Sequence, residues 1–324
     1  MKILKLPKVE LHLHLDGSVR TKTVSEILNL DIKEVERKMI CDKNTKSLTD
    51  YLTKFDLPLE ILQTKENLKR ITKELLEDLK KENVIYAEIR FAPQLHTKKG
   101  LSQEEVVESV ISAINEVDSI KCNLILCCMR NDLLNNNINN LKTIKVAEKY
   151  YQKKVVALDL AGDEIKFPTS KFIDLFKNTS LPLTVHAGEA SNYISIEDAV
   201  KMKAKRIGHG INIINNNKLI EELNKKNILL EICPQSNIDT CAITNKKNHP
   251  ITKLINKIPI SINTDNRTVS NITLTKEYED LINLCNFSIK DLKTCNINAI
   301  NHAFINEDEK RKLIEIIEDE YKEN

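Results

Sequence analysis

The residues best suited to chemistry are histidines. The chain has only seven, and two of them, His12 and His14, stand one residue apart in "VELHLHLDG", Val9 to Gly17. Along a β-strand successive side chains alternate faces, so both imidazoles project to one side while Leu11, Leu13 and Leu15 take the other. Two rings on one face can converge on an ion, although polar pairs on a strand face are common without one. Partners follow later: His186 and Glu189 in "TVHAGEA", His209 between glycines in "RIGHGIN", and Asp265 with Asn266 in "SINTDNR". Taken singly, His186 reads equally as a core histidine, His209 as a packed turn residue and Asp265 as a helix cap. Together His12, His14, His186 and Asp265 offer three nitrogens and one carboxylate oxygen. That hard-to-borderline set suits Zn²⁺ and leaves room for a water. His96, His249 and His302 lie in polar or helical contexts and read as structural.

Residues so far apart in sequence meet only if the elements carrying them end at one place. Short apolar runs read as strands at Val9–Leu15, Val84–Ala92, Asn123–Met129, Val155–Ala161, Leu181–Ala187, Arg206–Gly210, Ile228–Cys233 and Ile258–Asp265. Between them lie segments of helical spacing. "SQEEVVESVISAINEVDS" and "SIEDAVKMKAK" each open on a Ser that can accept from the first helical N–H groups, with acids favouring that end. The asparagine-rich "LLNNNINNLK" and "INIINNNKLI" read as loops leading into helices. This alternation predicts an α/β chain folded as a (β/α)8 TIM barrel, whose parallel strands all finish at one face. A long helical excursion, roughly residues 20 to 82, follows the first strand and covers part of the barrel mouth. Further helices follow the last strand.

Composition narrows the function. Among 324 residues, Lys+Arg 49 against Asp+Glu 47 leaves a formal net charge of +2, so no long-range field recommends nucleic acid or a membrane surface. Aromatic platforms for single-stranded nucleic acid are also missing. No apolar run approaches a membrane span, and the N-terminus "MKILKLPKVE" does not read as a signal peptide. The eight cysteines form no CxxC pair and sit mostly in apolar runs, as expected of reduced thiols in a cytoplasmic protein. No linker divides the chain, so residues 1–324 read as one domain.

The motifs "VELHLHLDG", "LDLAGDE", "HAGE", "RIGHG", "CPQSN" and "SINTDN" occur in an order and spacing that resembles the adenosine deaminase family of zinc-dependent amidohydrolase barrels. "SLTDYLTKFDLP", Ser47 to Pro58, resembles the segment that closes over substrate in that family. The resemblance spans nearly the whole chain. It implies one Zn²⁺ held by His12, His14, His186 and Asp265, which makes a hydroxide available to attack C6 of a purine. It implies Glu189 as the proton donor to N1, and His209 as the residue that orients the water and can accept its proton, a role Asp265 can share. It further implies substrate contacts from His14, Asp16 (ribose 5′-hydroxyl), Gly162 (backbone N–H to N3) and Asn266 (N7). The products would be ammonia and the 6-oxo purine, as in purine salvage from adenosine and 2′-deoxyadenosine.

Two departures sharpen this. Many family members have a second aspartate where this chain has Asn266; an asparagine amide is a donor at every pH and can still serve the acceptor N7. No lysine ends the "VVALDLAGD" strand, where binuclear relatives carry a carboxylated one, so a single metal is expected. Free adenine, AMP and 5′-modified adenosines are competing substrates, of which AMP is disfavoured because the Asp16 carboxylate would repel a 5′-phosphate. A nucleoside-binding protein without turnover is a further alternative, against which stand Glu189 and His209, neither needed to bind metal. The cytidine-type zinc deaminase signature is missing, since no second cysteine follows Cys233-Pro234 at the required spacing.

Overall fold

The computed structural model describes residues 3–42, 45–118 and 120–322. Eight strands form its centre: β1 (Lys8–His14), β2 (Val84–Phe91), β3 (Lys121–Met129), β4 (Val155–Ala161), β5 (Thr184–Ala187), β6 (Arg206–His209), β7 (Leu229–Ile232) and β8 (Ile260–Ile262). They pair in chain order as two four-stranded sheets, β1-β2-β3-β4 and β5-β6-β7-β8, with every pairing parallel. Single bridges join the sheets at both seams. Leu158 of β4 meets Leu183 just before β5, and Leu13 of β1 meets Asp265 just after β8. At the second seam the His14 N–H donates to the Asp265 carbonyl at 2.7 Å, and the Asp265 N–H to that of His12 at 2.9 Å.

Side chains show that the ring encloses an interior. Arg90 of β2 pairs with Asp159 of β4 and Glu231 of β7, and Glu231 also meets Arg206 of β6 and His12 of β1. Such contacts between strands that are not neighbours, with bridges at both seams, describe a barrel. The opposite strand faces are apolar: Leu11 and Leu13, Ile89 and Phe91, and Leu158 and Leu160 belong to the core beneath the helices. Each such side chain stabilises the fold by about 1.5–3 kcal/mol through removal from water.

The excursion after β1 is helical, as expected: α1 (Thr21–Leu28), α2 (Ile32–Met39), α3 (Leu48–Leu52), α4 (Asp56–Ile61) and α5 (Lys65–Lys81). Helix α5 leads into β2 and packs on α6 (Gln103–Asn115). Helix α7 (Ile138–Tyr150) links β3 to β4, α8 (Ile194–Lys201) links β5 to β6, and α9 (Asn217–Lys225) links β6 to β7. Helices α10 (Pro234–Asp239) and α11 (Ile251–Leu254) precede β8, and α12 (Leu274–Cys285), α13 (Ile289–His302) and α14 (Glu307–Glu320) follow it. Helix α13 packs on β1 and β8, covering their seam from outside. None of the helices among the described residues is long and apolar enough to cross a membrane.

Ser102 caps α6 in a reciprocal capping box with Glu105, as the sequence suggests. Ser195 does not cap α8. That helix begins at Ile194, and the Ser195 hydroxyl is drawn away to the Glu164 carboxylate at 3.0 Å. The strict strand–helix alternation also fails once, because only a 3₁₀ turn, Thr169–Phe172, lies between β4 and β5. Pro168 immediately precedes that turn, and a proline ring cannot continue a helix through that position.

Candidate active site

His12 and His14 project from the same side of β1, as alternation requires. His12 Nε2 and His14 Nε2 each lie 3.3 Å from Asp265 Oδ1, and His14 Nε2 lies 3.2 Å from His186 Nε2. One donor atom from each of these four residues falls within 4.8 Å of the others. The remote ring nitrogens are committed elsewhere. His12 Nδ1 is 2.9 Å from Glu231 Oε2, and His186 Nδ1 is 3.0 Å from Asp159 Oδ2. A carboxylate on Nδ1 fixes the hydrogen there and turns the Nε2 lone pair inward, the arrangement that metal-bound histidines show. His12 Nε2 is buried without a hydrogen-bond partner, and His14 Nε2 faces the His186 Nε2 lone pair at 3.2 Å. Such a site is costly when filled by nothing and well suited to a cation, so these residues fit a metal ion.

Electrostatics point the same way. Burial works to raise the Asp265 carboxyl, but the ring nitrogens of His12, His14 and His209 gathered around it outweigh burial and hold the group below the usual carboxylate range. Its Oδ2 also accepts from Ser236 Oγ at 2.6 Å. Burial holds His14 well below its ordinary value, that is, neutral. Asp265 and His209 both adopt left-handed backbone, φ 61° and 63°, uncommon for residues other than glycine and concentrated where function requires it.

Glu189 sits beside this cluster. Its loop after β5 is held by one carboxylate: Glu164 accepts the backbone N–H groups of Gly188, Glu189, Ala190 and Ser191 and the hydroxyls of Ser191 and Ser195. Glu189 Oε1 accepts from Thr240 Oγ1 at 2.9 Å and from Asn237 Nδ2 at 3.2 Å. Burial, followed by the negative charges of Asp265 and Glu164, pushes its carboxyl up to about 8. It is therefore a neutral acid at pH 7.

His209 Nε2 lies 3.6 Å from Glu189 Oε2 and 4.0 Å from Asp265 Oδ2. Its proton can be placed by following donors inward. The Ile251 N–H donates to His249 Nδ1 at 3.1 Å, so the His249 hydrogen is on Nε2 and is given to Asn237 Oδ1 at 3.2 Å. Asn237 Nδ2 then donates to His209 Nδ1 at 3.0 Å, which leaves the hydrogen of the neutral His209 ring on Nε2, facing the cluster. Burial lowers His209 to about 4, so the ring is neutral.

A cavity of about 300 Å³ opens over these groups, walled by Asp16, Gly162, Glu189, Asp265 and Asn266 and roofed by Leu48, Tyr51 and Phe55 of the helical excursion. Asp16 is buried, bonded to its neighbouring Gly17 N–H at 3.1 Å, and raised by burial to about 6. Gly162 has φ 109°, so the left-handed backbone, rather than crowding, calls for glycine there. All the site residues read from the sequence thus meet at one end of the barrel. Sequence reading passes over Asp159, Glu164, Glu231, Ser236, Asn237 and Tyr51. "VVALDLA" and "ILLEIC" each hold a single acid in an apolar run, and a buried charge must be paired, which is the signal that could have flagged Asp159 and Glu231.

Comparison with known proteins bears on family and fold. The profile of the family described as "Adenosine deaminase" matches residues 7–320. An adenosine deaminase of Clostridium perfringens is 41% identical over 97% of this chain and 98% of its own length. Among solved structures, an adenine deaminase from Arthrobacter aurescens superposes with TM-score 0.87 at 24% identity, covering 98% of this chain and 99% of its own. An amidohydrolase from Burkholderia ambifaria with bound Zn superposes with TM-score 0.88 at 21% identity over 99% of this chain and 92% of its own. A barrel whose strand ends gather three histidines, an aspartate and a neutral glutamic acid, and whose sequence matches the profile almost from end to end, belongs to the adenosine deaminase family.

Proposed function

We propose that this protein is a zinc-dependent hydrolase that deaminates adenosine and 2′-deoxyadenosine to inosine and 2′-deoxyinosine, releasing ammonia. The observation that carries this reading is a Glu189 carboxyl held neutral next to inward-facing imidazole nitrogens of His12, His14 and His186. Those three residues and Asp265 would hold one Zn²⁺. When bound, the ion supplies Lewis acidity that makes water a competent nucleophile at neutral pH. Glu189, still protonated at pH 7, donates to N1 of the purine as C6 becomes tetrahedral. The His209 Nε2–H orients the attacking oxygen, and His209 and Asp265, on the same side, share the proton that the water gives up. Cleavage of the C6–N6 bond, with the water's first proton passed to nitrogen and the C6 hydroxyl proton returned to Glu189, then yields ammonia and the 6-oxo ring. Gly162 N–H faces N3, Asn266 faces N7, and Asp16 accepts the 5′-hydroxyl.

We read residues 1–324 as one catalytic unit of a cytoplasmic protein, since β1 and the turn after β8 both contribute to the cluster. The decisive experiment combines metal analysis with a panel of adenosine, 2′-deoxyadenosine, adenine, AMP and a 5′-alkylthio-adenosine, followed by loss of purine absorbance. Expected are about one zinc per chain and turnover of the two nucleosides. Turnover of adenine without adenosine would overturn the substrate assignment.

A further inference from the structure

Asn266 is held from outside the barrel. Its Nδ2 lies 2.9 Å from the hydroxyl of Tyr51 in α3, and that hydroxyl lies 3.1 Å from Ser270 Oγ. All three residues are buried. The other end of the amide, Oδ1, is buried with no hydrogen-bond partner. It rests against Gly17, where an added Cβ would stand 1.8 Å from it. Gly17 therefore makes room for the amide but does not fix it, because its own N–H is given to Asp16. The side-chain group that fixes the amide plane is the Tyr51 hydroxyl. Tyr51 and Asn266 also line the same cavity, beside His14 and Asp265.

This matters because an amide has two unlike ends of nearly equal shape. Left to rotate, it offers a donor and an acceptor in turn; held by a third group, it offers one only. Here the Asn266 Nδ2 donates to the Tyr51 oxygen, which leaves the hydroxyl hydrogen for Ser270 Oγ on its far side. We propose that Tyr51 is a positioning residue for substrate discrimination: its hydroxyl, brought over the mouth by α3, fixes the Asn266 amide so that an N–H faces position 7 of the purine. The assignment rests on reading the cavity as a purine nucleoside site. It ties selection of the ring nitrogen to the placement of α3 over the mouth.

The test is a double-mutant cycle on binding. Purine riboside, which has no 6-amino group to lose, and 7-deazapurine riboside, in which position 7 is carbon, are titrated into the zinc-loaded protein. Wild type binds the first more tightly. Tyr51→Phe keeps the ring, including its contact with Phe55 at 6.0 Å between centroids, and removes only the hydroxyl. It should weaken purine riboside by about twofold to tenfold, the range for one neutral hydrogen bond, and the 7-deaza ligand by less. In an Asn266→Ala background the same change should add nothing, because the group it acts through is gone. Equal weakening of both ligands, or full additivity in the double variant, would overturn the assignment. Turnover is read separately: a wild type that binds the pair with the expected preference but does not deaminate adenosine overturns the deaminase reading, not this one.

Discussion

The barrel contains two polar regions a few ångströms apart that obey opposite rules. In its interior, Arg90, Arg206, Glu88, Asp159 and Glu231 are fully buried charges, and each is paired: Arg90 with Asp159 and Glu231, Arg206 with Glu88 and Glu231. At the mouth, His12 Nε2 and Asn266 Oδ1 are buried and unpartnered. The interior sets two guanidinium groups against three carboxylates in ion pairs within the chain, whereas the mouth gathers ligand atoms. The two regions are coupled, because Glu231 and Asp159 belong to both. Each accepts from Arg90 on one side and from a cluster histidine on the other. The inner charges thus act as the rigid base that fixes which nitrogen His12 and His186 turn upward.

That contrast can be tested in order of expected effect. The largest change should come at the mouth. Glu189→Gln preserves shape and removes the acidic proton, so kcat should fall by about a hundredfold to ten-thousandfold. Zinc content by atomic absorption should match wild type; loss of metal would show instead that Glu189 is a ligand. Next comes the link between the regions. Glu231→Ala strands Arg90 and Arg206, and breaking a buried pair costs about 3–5 kcal/mol in unfolding experiments. Because Glu231 also orients His12, zinc affinity should fall by about tenfold to a hundredfold. A destabilised variant with unchanged zinc affinity would separate the regions.

A pH effect follows from Glu189. Its folded carboxyl titrates near 8, while an unfolded glutamate titrates near 4.3. Between these values the unfolded chain binds fewer protons than the folded one, so stability falls as pH rises from about 4 to about 8. In metal-free protein, Glu189→Gln should remove this component, and its stability relative to wild type should grow across that window; a constant difference would contradict the assignment. The deaminase activity should likewise decline on the alkaline side as the proton is lost. The smallest effect belongs to the exterior. Arg20 pairs with Asp78 and Glu77 but is about one-third exposed (31%), so Arg20→Ala should cost no more than about 1 kcal/mol.

The mouth was more legible in the sequence than its base. His12 and His14 announce themselves by alternation, and His186, His209 and Asp265 by following apolar runs that end in glycine or acid. Eight strand segments were recoverable because each is a short run of β-formers, although "LPLTVHA" shrinks to Thr184–Ala187 once Pro182, lacking an N–H, falls outside the ladder. His249 read correctly as a residue outside the metal set, yet only the fold shows that it fixes the Asn237 amide and, through it, the proton on His209. Ser195 misled for a related reason. A serine before an acid is a cap by local chemistry, and only the nearby Glu164 carboxylate redirects its hydroxyl.

By itself the sequence determined the barrel and a candidate donor set, because both follow from local rules: side-chain alternation, the length of apolar runs, and which atoms can bind a cation. Tertiary structure alone decided which partners complete them. Glu231 beneath His12, Glu164 beneath Glu189 and Tyr51 beside Asn266 come from segments distant in the chain. Their effects on proton position and amide orientation depend on distances of about 3 Å, which only packing sets.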